Sequence, residues 1–462
     1  MRTTLLLPLI VACALFMENM DSTVIATSLP VIARDLGENP LSLKLALTAY
    51  LVSLAVFIPV SGWMADRFGS RTVFRAAIGV FMAGSLACGF SESLGGFVAA
   101  RFLQGMGGAM MVPVGRLVLL KSVPKSELVQ ALSYLTIPAL LGPVIGPPLG
   151  GFISTYFSWR WIFYINIPIG VLGIYLASRF IPNLTEDEIA PLDMRGFVLS
   201  GVGLSLLTLG LATAGEHLVS RATSLGCTFT GAATLAFYVL HARRCAHPVL
   251  DFRFLRIATY RTGVVGGALV RVGVGAMPFL LPLLLQLGFG YSALQSGLLT
   301  CCSAIAAMFM KTLAVAILRR FGFRTVLTWN AIIVAASIAV YGLFTATTPY
   351  ALMVATLLAG GFFRSLQFTA MNALSYADID RAAMSPASSL ANVTQQIALS
   401  LGVTAGAYAL EFTAGLRGHA QVEVADFGVA FAVVSLVAAS SFLLNVRLPR
   451  DAGAEVSGRP RA

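Results

Sequence analysis

Fourteen apolar stretches, each flanked by polar residues and long enough to cross a bilayer, recur along this 462-residue chain. A helix needs about 20 apolar residues to cross ~30 Å of hydrocarbon. Lipid offers no partner to backbone N–H and C=O groups, so each crossing segment must satisfy its own and be helical. The spans are expected at 5–32, 43–63, 73–91, 93–119, 128–154, 161–181, 195–214, 223–241, 260–287, 292–318, 325–346, 348–376, 386–410 and 426–446. With 57% hydrophobic and 11% charged residues, the chain lies well outside globular usage. The expected fold class is an all-α polytopic membrane protein.

The excess of 31 Lys+Arg over 20 Asp+Glu would suit a polyanionic partner if the basic residues were clustered. Instead they alternate between connections. Arg67, Arg71, Arg116, Lys121, Lys125, Arg243, Arg244 and Arg320 fall on one side with others, about 22 in all, against about 5 opposite. The charge is therefore a topology signal. No nucleic-acid partner is expected, and both termini are placed in the cytoplasm. Residues 4–16 mimic a signal peptide, but the apolar run continues past Glu18 and Asp21 with no small-residue cleavage site, so the first span reads as a retained anchor. The six cysteines form no CxxC pair, and spacing indicates neither a disulfide framework nor a zinc site.

No connection is long enough for a soluble catalytic domain. None of the lysines follows a glycine, so there is no Walker A loop to hold ATP; HExxH and GxSxG are also absent. An enzyme is not expected, nor any cofactor beyond an ion gradient. The organisation reads as a six-helix bundle over 1–182, linking helices seven and eight with their connections over 183–258, a second six-helix bundle over 259–447 and a cytoplasmic tail over 448–462. Three echoes tie the bundles together. Arg67-Phe68-Gly69-Ser70-Arg71-Thr72-Val73 is matched by Arg320-Phe321-Gly322-Phe323-Arg324-Thr325-Val326. Arg101-x-x-Gln104 is matched by Arg364-x-x-Gln367, and Gly142-x-x-x-Gly146 by Gly402-x-x-x-Gly406. Their common order indicates a duplicated unit, the architecture of carriers whose site lies between repeats.

At these residues the chain resembles the major facilitator superfamily, and within it the fourteen-spanner drug:H⁺ antiporter branch of the EmrB/QacA type, over residues ~5–447. Met20-Asp21-Ser22-Thr23 resembles that branch's first-helix motif, with Asp21 in the acidic place. Gly62-x-x-x-Asp66-Arg67-x-Gly69-x-Arg71 resembles the superfamily's loop motif. Arg101-Phe102-Leu103-Gln104-Gly105 resembles the helix-four motif tied to proton coupling. Gly142-Pro143-x-x-Gly146-Pro147-x-x-Gly150-Gly151 resembles the helix-five antiporter motif, and Trp161-Ile162-Phe163-x-Ile165-Asn166-x-Pro168 the start of helix six. Two places depart from the pattern: Ser70 stands where a basic residue is usual, and Arg319 stands where the first loop has Asp66. The resemblance implies a major facilitator fold of two six-helix bundles with two additional linking helices. It also implies proton-coupled export of small amphipathic or hydrophobic compounds by alternating access at the inner (plasma) membrane. Gly62, Asp66, Arg67, Gly69, Arg71, Gly142, Pro143, Gly146, Pro147 and Gly150 become the gating set.

In that fold the first and fourth helices of each half line the cavity. Here they carry Glu18 and Asp21, Arg101, Arg271 and Arg364. A charge at bilayer depth costs about 2.5–3.5 kcal/mol, so five on four lining helices point to function. Glu18 and Asp21 share a helix face, and two close, poorly hydrated carboxylates resist being ionised together. His217, His241, His247 and His419 fall in connections or at helix ends, which leaves proton coupling to Asp21 or Glu18, with Arg101 modulating. A plain Asp21–Arg101 structural bridge is the competing reading. Gln104, Arg271, Arg364, Gln367 and Asn372 are the candidate cavity residues; polar glue between helices is the alternative for each. The partners expected are a small-molecule substrate, protons and the lipid bilayer, with the chain acting as a monomer and a periplasmic adaptor and outer-membrane channel admitted. Rival readings are an exporter of an anionic metabolite or siderophore-like compound, a symporter, and a non-transporting scaffold.

Overall fold

The computed structural model describes residues 2–122, 128–185, 191–213, 219–246, 248–380, 383–418 and 422–454. Lys125, His217, His247, His419 and the end of the expected tail, 455–462, lie outside the described residues. Every regular element among the described residues is helical. Thirteen helical segments among the described residues are long and apolar enough to cross a membrane, and a 29-residue helix over Leu128–Tyr156 stands where the sequence predicts the fifth span. The protein is an all-α multi-pass membrane protein.

Two compact units divide the chain. The first holds α1 (Arg2–Val24), α2 (Leu29–Leu36), α3 (Lys44–Phe68), α4 (Ser70–Gly89), α5 (Leu94–Ser122), α6 (Leu128–Tyr156), α7 (Trp161–Tyr164), α8 (Asn166–Phe180), α9 (Met194–Thr213) and α10 (Arg221–Ala242). The second holds α11 (Ala258–Arg261), α12 (Gly267–Gly275), α13 (Met277–Leu283), α14 (Ala293–Phe321), α15 (Phe323–Tyr341), α16 (Tyr350–Ser375), α17 (Met384–Arg417), α18 (Val424–Ala439) and α19 (Phe442–Asn445). The additional pair, α9 and α10, packs on itself, and α9 also lies against α3.

Several spans are broken where prolines dictate. α1 tightens into a 3₁₀ turn, Ile25–Ser28, before Pro30, because a proline removes an N–H and crowds the preceding turn. The sixth span is divided at Ile165, between α7 and α8, three residues ahead of Pro168. The ninth is interrupted at Ala276 ahead of Pro278 and carries π-helical turns at Thr262–Gly266 and Leu284–Gly288. Such wide turns are local insertions into the helical ladder.

Within each unit the helices pair by rank. In the first, α1 packs on α6 and α8, α3 on α5, and α4 on α5 and α8. In the second, α12 packs on α17 and α18, α14 on α16, and α15 on α16 and α18. The pairings correspond span for span, one with nine, two with ten and so on. The sequence echoes therefore mark equivalent places in space. Gly69 and Gly322 hold φ of +89° and +77°, and each serves as the N-cap of the helix that follows. Only glycine adopts such a backbone without strain, which lets one span turn directly into the next.

Candidate functional site

α1 presents Asp21 to α5 and α8 at the centre of the first unit. The Asp21 carboxylate is 1% exposed and is held by three donors. Arg101 Nη1 donates to Oδ2 at 2.6 Å, Gln104 Nε2 to Oδ1 at 2.8 Å, and Asn166 Nδ2 to Oδ1 at 2.9 Å. Ser85 on α4 braces both amides, accepting from Gln104 Nε2 at 2.8 Å and from Asn166 Nδ2 at 3.2 Å. Arg101 also donates to Gln104 Oε1, and its guanidinium lies 4.3 Å from the centre of the Tyr50 ring, a cation–π contact. Side chains from five helices thus converge on one ion pair. Buried charge is tolerable only where paired and hydrogen-bonded; here the ions pair and both Asp21 oxygens are bonded, while Arg101 Nε has no partner among the described residues.

The spacing of these residues follows from helix geometry. Arg101 and Gln104 are three apart and so share a face of α5. Gly105 and Gly108 continue that face: a Cβ on Gly105 would meet the Tyr50 carbonyl at 2.7 Å, and one on Gly108 the Tyr50 hydroxyl at 3.1 Å. Without side chains at those two positions α3 closes on α5 and Tyr50 reaches Arg101. Gly84 on α4 likewise leaves room for the Gln104 backbone.

Glu18 stands one turn from Asp21 in different surroundings. It is half-buried, accepts a bond from the Tyr50 hydroxyl at 3.3 Å, and has its Cγ close to where a Gly108 Cβ would sit. The two carboxylates share a helix face, but Arg101 bonds Asp21 and not Glu18.

The second unit contains an arginine, Arg364, that matches Arg101, and a second, Arg271, on the span that corresponds to that of Asp21. Arg271 on α12 is 5% exposed; its Nη2 donates to Asn372 Oδ1 at 2.8 Å and its guanidinium lies 5.1 Å from the Phe368 ring. Arg364 on α16 donates to Ser303 Oγ at 3.1 Å. Gln367, fully buried, accepts from Asn330 Nδ2 at 2.8 Å and donates to the Leu327 carbonyl at 3.4 Å. Among the described residues no carboxylate bonds to Arg271 or Arg364. Of the five cavity candidates, Gln104 and Gln367 are buried in side-chain networks, whereas Asn372 is exposed.

The remaining candidates fall into two groups. Along α6, Gly142, Gly146 and Gly150 face α1: a Cβ on Gly142 would meet the Met20 backbone N at 2.9 Å, one on Gly146 the Thr23 side chain, and one on Gly150 the Val24 carbonyl. Thr23, Thr27 and Ser28 donate across this seam to the carbonyls of Gly142, Pro147 and Gly150 at 3.2–3.4 Å. Small residues with hydroxyl donors are how membrane helices approach closely. Pro143 sits beside this seam on α6. The second group surrounds the junction of α3 and α4. Gly62 has open space at its Cβ, Asp66 lies in the last turn of α3, Arg67 is exposed and Arg71 half-buried. Ser70, the departure from the family pattern, is 1% exposed. Its N–H donates to the Leu184 carbonyl at 2.9 Å, and its Oγ accepts from the Leu184 N–H at 3.3 Å. A basic side chain would not fit there.

Tyr50, Ser85 and Asn166 are the site residues that sequence reasoning did not assign. Asn166 lay inside a motif already quoted, where its signal was an amide at the start of an apolar helix. An apolar cavity of about 420 Å³, lined by Leu45, Val52, Val98, Phe102, Thr208 and Leu209, lies where α9 meets α3 and α5. Among the described residues, the one grouping of three metal-ligand side chains lies away from these networks, at the base of α9 and α10.

A buried acid on the first span, paired to an arginine on the fourth in one of two duplicated six-span bundles, defines a membrane carrier rather than an enzyme. The chain belongs to the Major Facilitator Superfamily, whose family model matches residues 11–403. It is 36% identical over 448 residues to the "Putative multidrug resistance protein MdtD" of Salmonella heidelberg (strain SL476), covering 96% of this chain and 94% of that protein. The protein of the same description from Salmonella typhi is 35% identical over the same length. Among solved structures, a POT family transporter in complex with a thioalcohol-conjugated peptide superposes with a TM-score of 0.70 at 14% identity, covering 95% of this chain and 94% of that one. A D-xylose–proton symporter gives 0.68 at 14% identity, covering 96% and 98%. These likenesses establish the fold.

Proposed function

We propose that this transporter is a proton-coupled antiporter of the fourteen-spanner drug:H⁺ branch, exporting small amphipathic compounds across the inner membrane with both termini cytoplasmic. The observation that carries the reading is Asp21 itself, a buried carboxylate held by three donors from two neighbouring helices. Protonating it removes the charge that holds Arg101 and so frees the α1–α5 contact. In the mechanism, substrate binds the inward-open carrier as Asp21 gives up its proton to the cytoplasm. Rocking exposes the carboxylate to the opposite side, proton uptake there displaces the substrate, and the return movement carries that proton to the cytoplasmic side, where its loss lets Asp21 pair with Arg101 again. Glu18 serves as a second proton or cation group. The glycine seam of α6 and the Gly62–Arg71 junction are the moving parts. The multidrug-resistance description of the MdtD relatives supports the choice of cargo.

The test is proton release from purified, detergent-solubilised protein on addition of a panel of lipophilic cations, anions and neutral dyes. Substrates should release protons from the wild type and not from Asp21→Asn. Undiminished, pH-gradient-driven transport by Asp21→Asn in everted vesicles would refute the assignment.

One observation favours a second reading of the cargo. Arg271 and Arg364 meet only neutral side chains among their bonded partners, which suits an anionic metabolite better than a lipophilic cation. Competition between anionic and cationic dyes for the same efflux separates the two: inhibition by anions alone, lost on Arg271→Gln, would favour the anion.

A further inference from the structure

We infer that Asp193, His241 and Cys245 form a binding site for a borderline divalent cation of the zinc class, fastening the start of α9 to the end of α10. It stands independently of the cargo and of proton coupling. Asp193 lies 48 residues before His241, and Cys245 follows His241 four residues later; neither the cysteine pattern nor the histidine positions single the three out. The out-and-back course of the α9–α10 hairpin brings them together: one ligand atom from each lies within 4.8 Å of the others.

The donor set fits such an ion. Carboxylate oxygen, imidazole nitrogen and thiolate sulfur are all zinc ligands, and a tetrahedral ion with bonds of about 2.0–2.3 Å holds its ligand atoms roughly 3.3–3.8 Å apart. The cluster therefore needs only small side-chain shifts, the 2.8 Å Asp193–His241 hydrogen bond opening as the cation enters and Cys245 moving in. An ionised Asp193, a neutral His241 and a Cys245 thiolate together carry two negative charges, which balance a divalent ion. The nearest arginines in sequence, Arg195, Arg243 and Arg244, are exposed.

The Asp193 side chain provides the second observation. It is 6% exposed. Its Oδ1 is occupied, accepting from the Gly196 N–H at 2.8 Å and bonding His241 Nε2 at 2.8 Å. Its Oδ2 is buried with no hydrogen-bond partner among the described residues. A buried carboxylate oxygen without a donor is costly, and a bound cation supplies what is missing. The competing account, a simple Asp193–His241 tie between helices, leaves Oδ2 unexplained and gives Cys245 no part.

Binding proceeds with defined proton balance. The Cys245 thiol gives its proton to solvent, His241 binds through a deprotonated ring nitrogen, and the ion exchanges one or more of its waters for the three ligands. No electron is transferred. Three protein ligands at a half-buried place leave a fourth position for water, the pattern of an exchangeable ion rather than of a closed structural site.

Cobalt(II) reports on the site directly, because a cysteine thiolate bound to it gives an intense charge-transfer absorption. Full-length protein, purified under reducing conditions and stripped with chelator, is titrated with cobalt(II). One equivalent should bring up the band, zinc(II) should abolish it, and Cys245→Ser should not show it. Asp193→Asn and His241→Gln should weaken binding by more than about tenfold, the loss that even outer-shell partners carry. Zinc(II) should raise the thermal stability of the wild type and not of Cys245→Ser, with the two matched in the absence of metal. A band that persists in Cys245→Ser, or no stoichiometric band in the wild type, overturns the site.

Discussion

Replacing Asp21 by asparagine is nearly isosteric, yet the geometry makes it severe. Asp21 receives three donors on two oxygens, Arg101 on one and the amides of Gln104 and Asn166 on the other. Asparagine has one oxygen and one NH₂ group. If its oxygen faces Arg101, its NH₂ opposes two amide donors; if its oxygen faces the amides, its NH₂ opposes the guanidinium. Either orientation sets donor against donor in a site that is 1% exposed. The charge matters more than the lost bond. Breaking a buried pair by removing one partner costs about 3–5 kcal/mol, because the other charge is left uncompensated. Arg101→Met should cost a similar amount by stranding Asp21. In Asp21→Asn/Arg101→Met neither charge remains, so the double variant should be far less destabilised than the sum of the singles. A coupling energy above about 1.5 kcal/mol is expected, the lower end found for close charge pairs. Reversible unfolding of the purified protein in mixed detergent micelles, followed by tryptophan fluorescence, supplies all four corners of the cycle. Single effects that simply add would mean that the two side chains do not act as a pair, and the argument for a proton-sensitive latch would lose its foundation.

Two further outcomes follow from the turns and connections of the fold. Gly69→Ala and Gly322→Ala each force a side chain into a backbone region that suits glycine, costing about 1–3 kcal/mol, and at Gly69 the new Cβ would also collide with Asn183; equal or raised melting temperatures would contradict this. In the connection before the ninth span, the Arg253 fork holds the Asp251 carboxyl below its usual range. Its folded-state pKa is depressed, so its contribution to stability is present above the unfolded value and lost as pH falls through the folded one. Asp251→Asn should therefore abolish that part of the acid sensitivity, read as the slope of melting temperature against pH below about 4.

The features most legible in the sequence were those that lipid makes expensive. Asp21, Arg101 and Gln104 stand out because a charge or amide is rare in an apolar span, and the structure brings all three into one network. Asn166, Ser85 and Tyr50 complete it but gave little signal, since a hydroxyl or single amide carries a smaller penalty and occurs in many spans as helix glue. The echo of Arg101-x-x-Gln104 by Arg364-x-x-Gln367 located equivalent places correctly, but it did not foretell their different bonding. That depends on what the first span of each half presents, an acid in one and Arg271 in the other. Proline-driven breaks at Ile165 and Ala276 were absent from the span boundaries because hydropathy averages over them. The cluster at the base of α9 and α10 was invisible for a different reason: ligands 48 residues apart meet only once a hairpin has folded.

Ser70 has a consequence for how the chain is strung. Through its bonds to Leu184, the tight corner between the second and third spans is buttressed by the strand of chain that has just left the sixth. That buttress is complete before α9 begins. The inserted hairpin could thus be lengthened, shortened or exchanged for another without undoing the corner, whereas a change of even one residue between Phe180 and Leu184 would pull on it directly.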